Sequence, residues 1–104
     1  MEDNLESIIF EIIAISGDAR SKACEAIAYA KDGKIELAQI EIAEARNAIV
    51  PAHRIQTDLI VDECSGKRTE VSMLFVHAQD HLMTSMMFID IADDFVELYR
   101  RLNL

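Results

Sequence analysis

Apolar residues recur along the chain in steps of three and four, broken at Asp32-Gly33 and again across Glu63–Arg68. Such steps keep side chains on one side of an α-helix, so the pattern predicts three amphipathic helices. In the first, Leu5, Ile8, Ile12, Ile15, Ala19, Ala23, Ala26 and Ala30 form the stripe, and Gly33 supplies the stop. The second carries a heptad seam, with Ile35, Ile42, Ile49 and Gln56 at one position and Ala38, Ala45, Ala52 and Leu59 at the other. In the third, Leu74, His81, Phe88, Phe95 and Leu102 alternate with His77, Thr84, Ile91 and Leu98. Each helix would span about 40 Å at 1.5 Å per residue, and the short linkers suit only antiparallel neighbours. The expected fold is all-α, an up-down-up antiparallel three-helix bundle made by a single domain over residues 1–104. Pro51 falls inside the second seam, where it removes a backbone hydrogen bond and crowds the Asn47 carbonyl, so a kink is expected there.

The stripes do not account for all the apolar residues. Ile9, Phe10, Ile13 and Ile27 lie off the first seam, and Phe75, Val76, Met83, Met86, Met87 and Ile89 lie off the third. A slender three-helix subunit has nowhere to bury them, which predicts self-association. Within the first helix, Gly17 follows Ser16 at a helix-weakening position and is expected to admit a neighbouring backbone. Composition narrows the classes. A hydrophobic share of 51% excludes disorder, and three Gly and one Pro are too few for a chain of many short strands. The net charge of −9 opposes binding to nucleic acid or to anionic lipid. No apolar run has the length of a membrane span, and the acidic start Met1-Glu2-Asp3-Asn4 is unlike a signal peptide. Cys24 and Cys64 fit neither a metal spacing nor a disulfide framework, and a cytoplasmic protein is expected. The acidic run Asp90, Asp93, Asp94, Glu97 reads as a solvated face.

The third seam holds the candidate chemistry. His77, His81 and Thr84 stand at positions filled elsewhere by Leu, Phe and Ile; Asp80 lies one step aside, and Gln56 interrupts the second seam in the same way. Folding the second and third helices back about Ser65 would bring His53 level with His77, gathering all three histidines, Gln56 and Asp80 into one polar layer. Buried polar groups need partners, so the layer calls for an explanation. It would serve to fix register and oligomeric state in a non-catalytic adaptor. It would hold a metal, since His77, Asp80 and His81 share a face and His-x-x-Asp-His differs in one residue type from a zinc peptidase motif. Or one histidine would carry a group covalently. Spacing alone leaves these open.

The string Val76-His77-Ala78-Gln79-Asp80-His81-Leu82-Met83-Thr84-Ser85 resembles the signature of the enzyme IIA component of the lactose/chitobiose (cellobiose) class of the bacterial phosphoenolpyruvate-dependent sugar phosphotransferase system. The likeness extends to Ser16-Gly17-Asp18-Ala19-Arg20-Ser21 and to Ala52-His53-Arg54-Ile55-Gln56-Thr57, and with the helix order it covers essentially the whole chain. The resemblance implies a homotrimer of three-helix subunits, nine helices in all, relaying a phosphoryl group from HPr to the cysteine of the sugar-specific enzyme IIB. His77 is then the phosphorylated residue, and Asp80 shares a divalent cation, magnesium, with its two copies. Nε2, the nitrogen farther from the backbone, is expected to carry the group. The cation is expected to be structural, because unpaired carboxylates beside an apolar seam are costly. Gln79, His81, His53 and Gln56 take supporting positions around the phosphoryl group. No ATP site is expected, and no Gly-rich phosphate loop is present.

Overall fold

A computed structural model describes residues 2–102 and shows three helices: α1 (Glu2–Lys31), α2 (Ile35–Cys64) and α3 (Met73–Leu102). They run up, down and up in a rod of 55 × 22 × 19 Å. The two C-terminal ends that face a connection are closed by the backbone. At the end of α1, Gly33 adopts φ 78°, its N–H bonds the Ala30 carbonyl at 3.0 Å, and the Lys34 N–H bonds the Tyr29 carbonyl at 2.9 Å. The end of α2 repeats the motif, with Gly66 at φ 92°, Gly66 N–H on Glu63 and Lys67 N–H on Asp62. Both are glycine-terminated Schellman turns, in which a left-handed residue lets two trailing N–H groups satisfy the last carbonyls. α3 starts at Ser72, whose hydroxyl accepts the Phe75 N–H at 3.1 Å as an N-cap.

α2 buries the seam expected of it: Ala38, Ile42, Ala45, Ile49 and Ala52. It also runs through Pro51 as one helix. Pro51 is on the exposed side, where the Asn47 carbonyl left without its helical partner faces water.

The other two helices correct the expected stripes. In the first half of α1 the buried residues are Ile9, Ile12 and Ser16, while Ile8 and Ile15 are only half-buried; from Ala19 to Ala30 the expected stripe holds. In α3 the core positions are Ala78, Leu82, Ser85, Ile89, Ala92 and Val96. The expected seam lies on another side of α3: Leu74, His77, Thr84, Ile91, Phe95, Leu98 and Leu102 are exposed, and His81 and Phe88 half-buried. The reason is the calibre of the interior. α1 and α2 present alanine-lined faces that let helices approach closely, and a close approach selects the stripe in which Ala78, Ser85 and Ala92 alternate with Leu82, Ile89 and Val96. The bulkier stripe is left outside. Ser16 and Ser85 are fully buried, and neither hydroxyl has a partner among the described residues.

α2 and α3 are also tied by charge. Arg46 donates to Asp90 at 2.8 Å and to Asp93 at 2.9 Å. Glu97 accepts from both Arg100 and Arg101, which pull its carboxyl down to about 2. The acidic run of α3 is therefore partly an interhelical clasp and not only a solvated face, although pairs this exposed contribute little to stability.

Candidate functional site

Two helices meet at the histidines. Gly17 of α1 faces His81 of α3: a Cβ built at Gly17 would lie 3.6 Å from His81 Nε2. The glycine thus leaves room beside an imidazole ring, where a neighbouring backbone was expected. His81 in turn stacks on His77, one helical turn earlier, with ring centroids 5.6 Å apart and planes 18° apart. His77 is exposed, His81 half-buried. Among the described residues His77 makes no side-chain hydrogen bond, so its nitrogens are open to an incoming group. Burial holds the His81 imidazole below the usual histidine range, the positive charges of Arg20 and His77 push it the same way, and Asp80 opposes them.

The expected polar layer divides into separate groups. Gln56 Nε2 donates to Gln79 Oε1 at 2.6 Å, a half-buried bond between α2 and α3. Gln79 is thereby on the α2 side of its helix, whereas His81, and His77 stacked on it, are on the α1 side. Within one subunit the glutamine pair and the histidine pair flank α3 from opposite directions. His53 joins neither. The pairings Gln56–Gln79 and Arg46–Asp90 show that α2 and α3 reverse about the middle of the loop 65–72, not about Ser65. His53 therefore falls near the level of Leu82, more than a helical turn past His77, and its side chain is exposed.

Asp80 occupies the outward face of α3, opposite the subunit core. Thr84 Oγ1 bonds its carbonyl oxygen at 2.7 Å, and the carboxylate side is exposed. Around it on the same face are Val76, Met83, Met87, Ile91 and Leu98, each between 42% and 61% exposed. A carboxylate set in the N-terminal half of an uncovered apolar stripe, with Asp94 further along it between Ile91 and Leu98, is the feature that the corrected register brings out. Among the described residues no three His, Cys, Asp or Glu side chains of one chain are arranged to hold a metal ion. The zinc peptidase reading of His77, Asp80 and His81 accordingly finds no support: the histidines turn toward α1, and Asp80 faces away from the subunit core.

Arg20, in the string 16–21, has no role assigned from the sequence, and it lies near the histidine pair. It sits three residues beyond Gly17 on α1, exposed, with its charge felt at the His81 ring, and it has no hydrogen bond or ion pair among the described residues. The signal was present in its spacing from Gly17, but the partner helix and its side could not be told from the stripe alone.

The family model for the lactose/cellobiose-specific IIA subunit of the PTS system matches residues 7–100. The lichenan-specific phosphotransferase enzyme IIA component of Bacillus subtilis is 45% identical over 103 residues, covering 99% of this chain and 94% of the relative. A lactose-specific EIIA component from Streptococcus mutans is 44% identical over 92 residues, 88% of each chain. Among solved structures, the cellobiose-specific enzyme IIA of Bacillus anthracis superposes with a TM-score of 0.89 at 45% identity, over 93% of this chain and 89% of that one. The IIA(chitobiose)–HPr complex of the Escherichia coli phosphotransferase system contains a chain with a TM-score of 0.83 at 37% identity, covering 96% of this chain and 97% of that one.

Proposed function

The chain belongs to the lactose/cellobiose-specific IIA family of the sugar phosphotransferase system, and from that premise we propose that it is a phosphoryl carrier working through His77. It accepts the group from HPr and passes it to the cysteine of a sugar-specific enzyme IIB, in support of uptake of a lactose-, cellobiose- or chitobiose-type β-glycoside. The observation that carries this reading is the exposed His77 ring, unencumbered by hydrogen bonds and backed by the His81 ring at 5.6 Å, in a chain similar to one solved together with HPr.

The chemistry asks for placement. The lone pair of His77 Nε2 attacks phosphorus in line; the bond to the donor breaks and its electron pair stays with the donor. The transferred unit keeps its three oxygens. In the second half-reaction His77 is the leaving group, and the IIB thiolate forms the new bond to phosphorus. Nε2 is the nitrogen farther from the backbone and the more accessible at a helix surface. The half-buried His81, with its protonated form disfavoured, keeps a neutral ring against His77.

Self-association completes the reading. The outward stripe of α3, with Phe10 of α1, is the surface a homotrimer would cover. On a threefold axis three Asp80 carboxylates meet, and hard oxygen donors of that kind suit magnesium, which neutralises their repulsion. Asp80 and its two copies would hold the ion; its contribution is structural. Gln56 and Gln79, paired across α2 and α3, support a phosphoryl group on a neighbouring subunit's histidine, since their own His77 lies on the far flank of α3.

Incubation with phosphoenolpyruvate, enzyme I and HPr tests the assignment. The protein is expected to take up acid-labile phosphate, and His77→Gln is expected to take up none. Loading of His77→Gln at the wild-type rate would move the role to His81, and absence of loading in the wild-type chain would leave a non-catalytic adaptor.

A further inference from the structure

His77 and His81 stand at the junction of α3 with α1, and α1 contributes two unusual positions there. Gly17 offers no side chain at the point where a Cβ would come within 3.6 Å of His81 Nε2. Arg20 follows three residues later on the side of α1 that turns toward α3. Helical side chains lean toward the N-terminus of their own helix, so Arg20 reaches back along α1 toward the level of Gly17 and the paired imidazoles. Arg46 is committed to Asp90 and Asp93, and Arg100 and Arg101 to Glu97; Arg54 and Arg68 have no partner among the described residues either, but they lie on α2 and in the 65–72 loop, not on α1. Arg20 has no partner among the described residues, in a chain whose net charge of −9 supplies carboxylates in excess.

An unpaired guanidinium beside an open histidine pair matches a tetrahedral group of three anionic oxygens. Arginine is the side chain best suited to it, because its planar fork donates two parallel hydrogen bonds and cannot lose its charge. We propose that Arg20 is a catalytic residue of the relay, donating from α1 to the oxygens of the phosphoryl group on His77 across the gap that Gly17 leaves beside His81. It stabilises the charge that spreads over those oxygens as the phosphorus–nitrogen bond forms and breaks.

This inference rests on the His77 reading above, and the test separates the two. Single-turnover transfer from phospho-HPr is measured for the wild type, Arg20→Gln, Arg20→Lys and, as a control for general charge, Arg54→Gln, each over a range of donor concentration. Helical content and oligomeric state, expected to be unchanged at an exposed position, are checked alongside. Arg20→Gln is expected to lower the saturating rate by about 10- to 100-fold, with Arg20→Lys recovering part of it and Arg54→Gln close to wild type. The donor concentration at half-saturation should change little. If Arg20→Gln reaches the wild-type saturating rate, or only raises the half-saturating concentration, Arg20 serves docking or nothing, and the inference is overturned while His77 stands. If the wild-type chain itself takes no phosphate, the parent reading has failed first.

Discussion

Glu41 turns Oε2 into the packing of α2 near Glu25 and Lys22 of α1, where that oxygen finds no partner among the described residues. Burial raises its carboxyl above the ordinary range, the neighbouring carboxylates of Glu25 and Glu44 add to the rise, and Lys22, itself 3.7 Å from Glu44, only partly offsets it. A carboxyl with a raised folded pKa favours the native state most below its unfolded value of 4.5, and that contribution is lost as pH rises through the folded value. Glu41→Gln is expected to remove this loss. At pH 7 it should raise Tm by roughly 2–4 °C, and the gap between variant and wild type should close as pH falls below 4.5. Thermal melts at fixed protein concentration across that range check it; a variant less stable than wild type at pH 7 would show that the carboxylate is satisfied after all.

At the scale of the helix, two glycines make opposite demands. Gly33 sits at φ 78°, in the region that side chains enter only with strain, and its turn closes α1. Gly33→Ala should cost about 1 kcal/mol. Gly17 is in mid-helix, and a Cβ there meets His81 Nε2 at the ordinary contact distance of 3.6 Å, so Gly17→Ala should stabilise by up to about 1 kcal/mol. Denaturant titration reads both signs in one experiment. The Asp32-Gly33 stop was legible because left-handed backbone leaves a compositional mark, and the α2 seam was legible because Ala38, Ile42, Ala45, Ile49 and Ala52 recur at strict heptad spacing, although Leu37, Ile40 and Val50 lie exposed outside it. α3 was not, because it carries two stripes, and choosing by bulk picks Phe88 and Phe95 over Ala78 and Ala92. Which stripe goes inside depends on how closely α1 and α2 approach, a property of other helices. The same limit governed the site. His77, His81 and Asp80 were legible by type and spacing, but their exposure, the separation of Gln56 and Gln79 from them, and the displacement of His53 depend on that register and on where the 65–72 loop turns.

For the whole molecule, the outward stripe around Asp80 fixes the next expectation. Light scattering should give a particle of about three times the 11.7 kDa chain mass at micromolar concentration. Asp80→Leu should keep that assembly and still be phosphorylated, with a higher Tm and no response to magnesium chelation, since apolar bulk replaces charges that otherwise need a cation. A stable monomer of the wild type would remove the case for covering the stripe, and an intact Asp80→Leu trimer that takes no phosphate would give Asp80 or its metal a part in the transfer. The shape of the subunit has a consequence of its own. In a rod only 22 × 19 Å across, His77 stands on the exterior of the single subunit. With a single accepting histidine in the proposed relay, donor and acceptor occupy the same few square nanometres in alternation. On the proposed relay, an excess of unphosphorylated IIB should slow loading by HPr, so that the carrier throttles itself when its outlet is crowded.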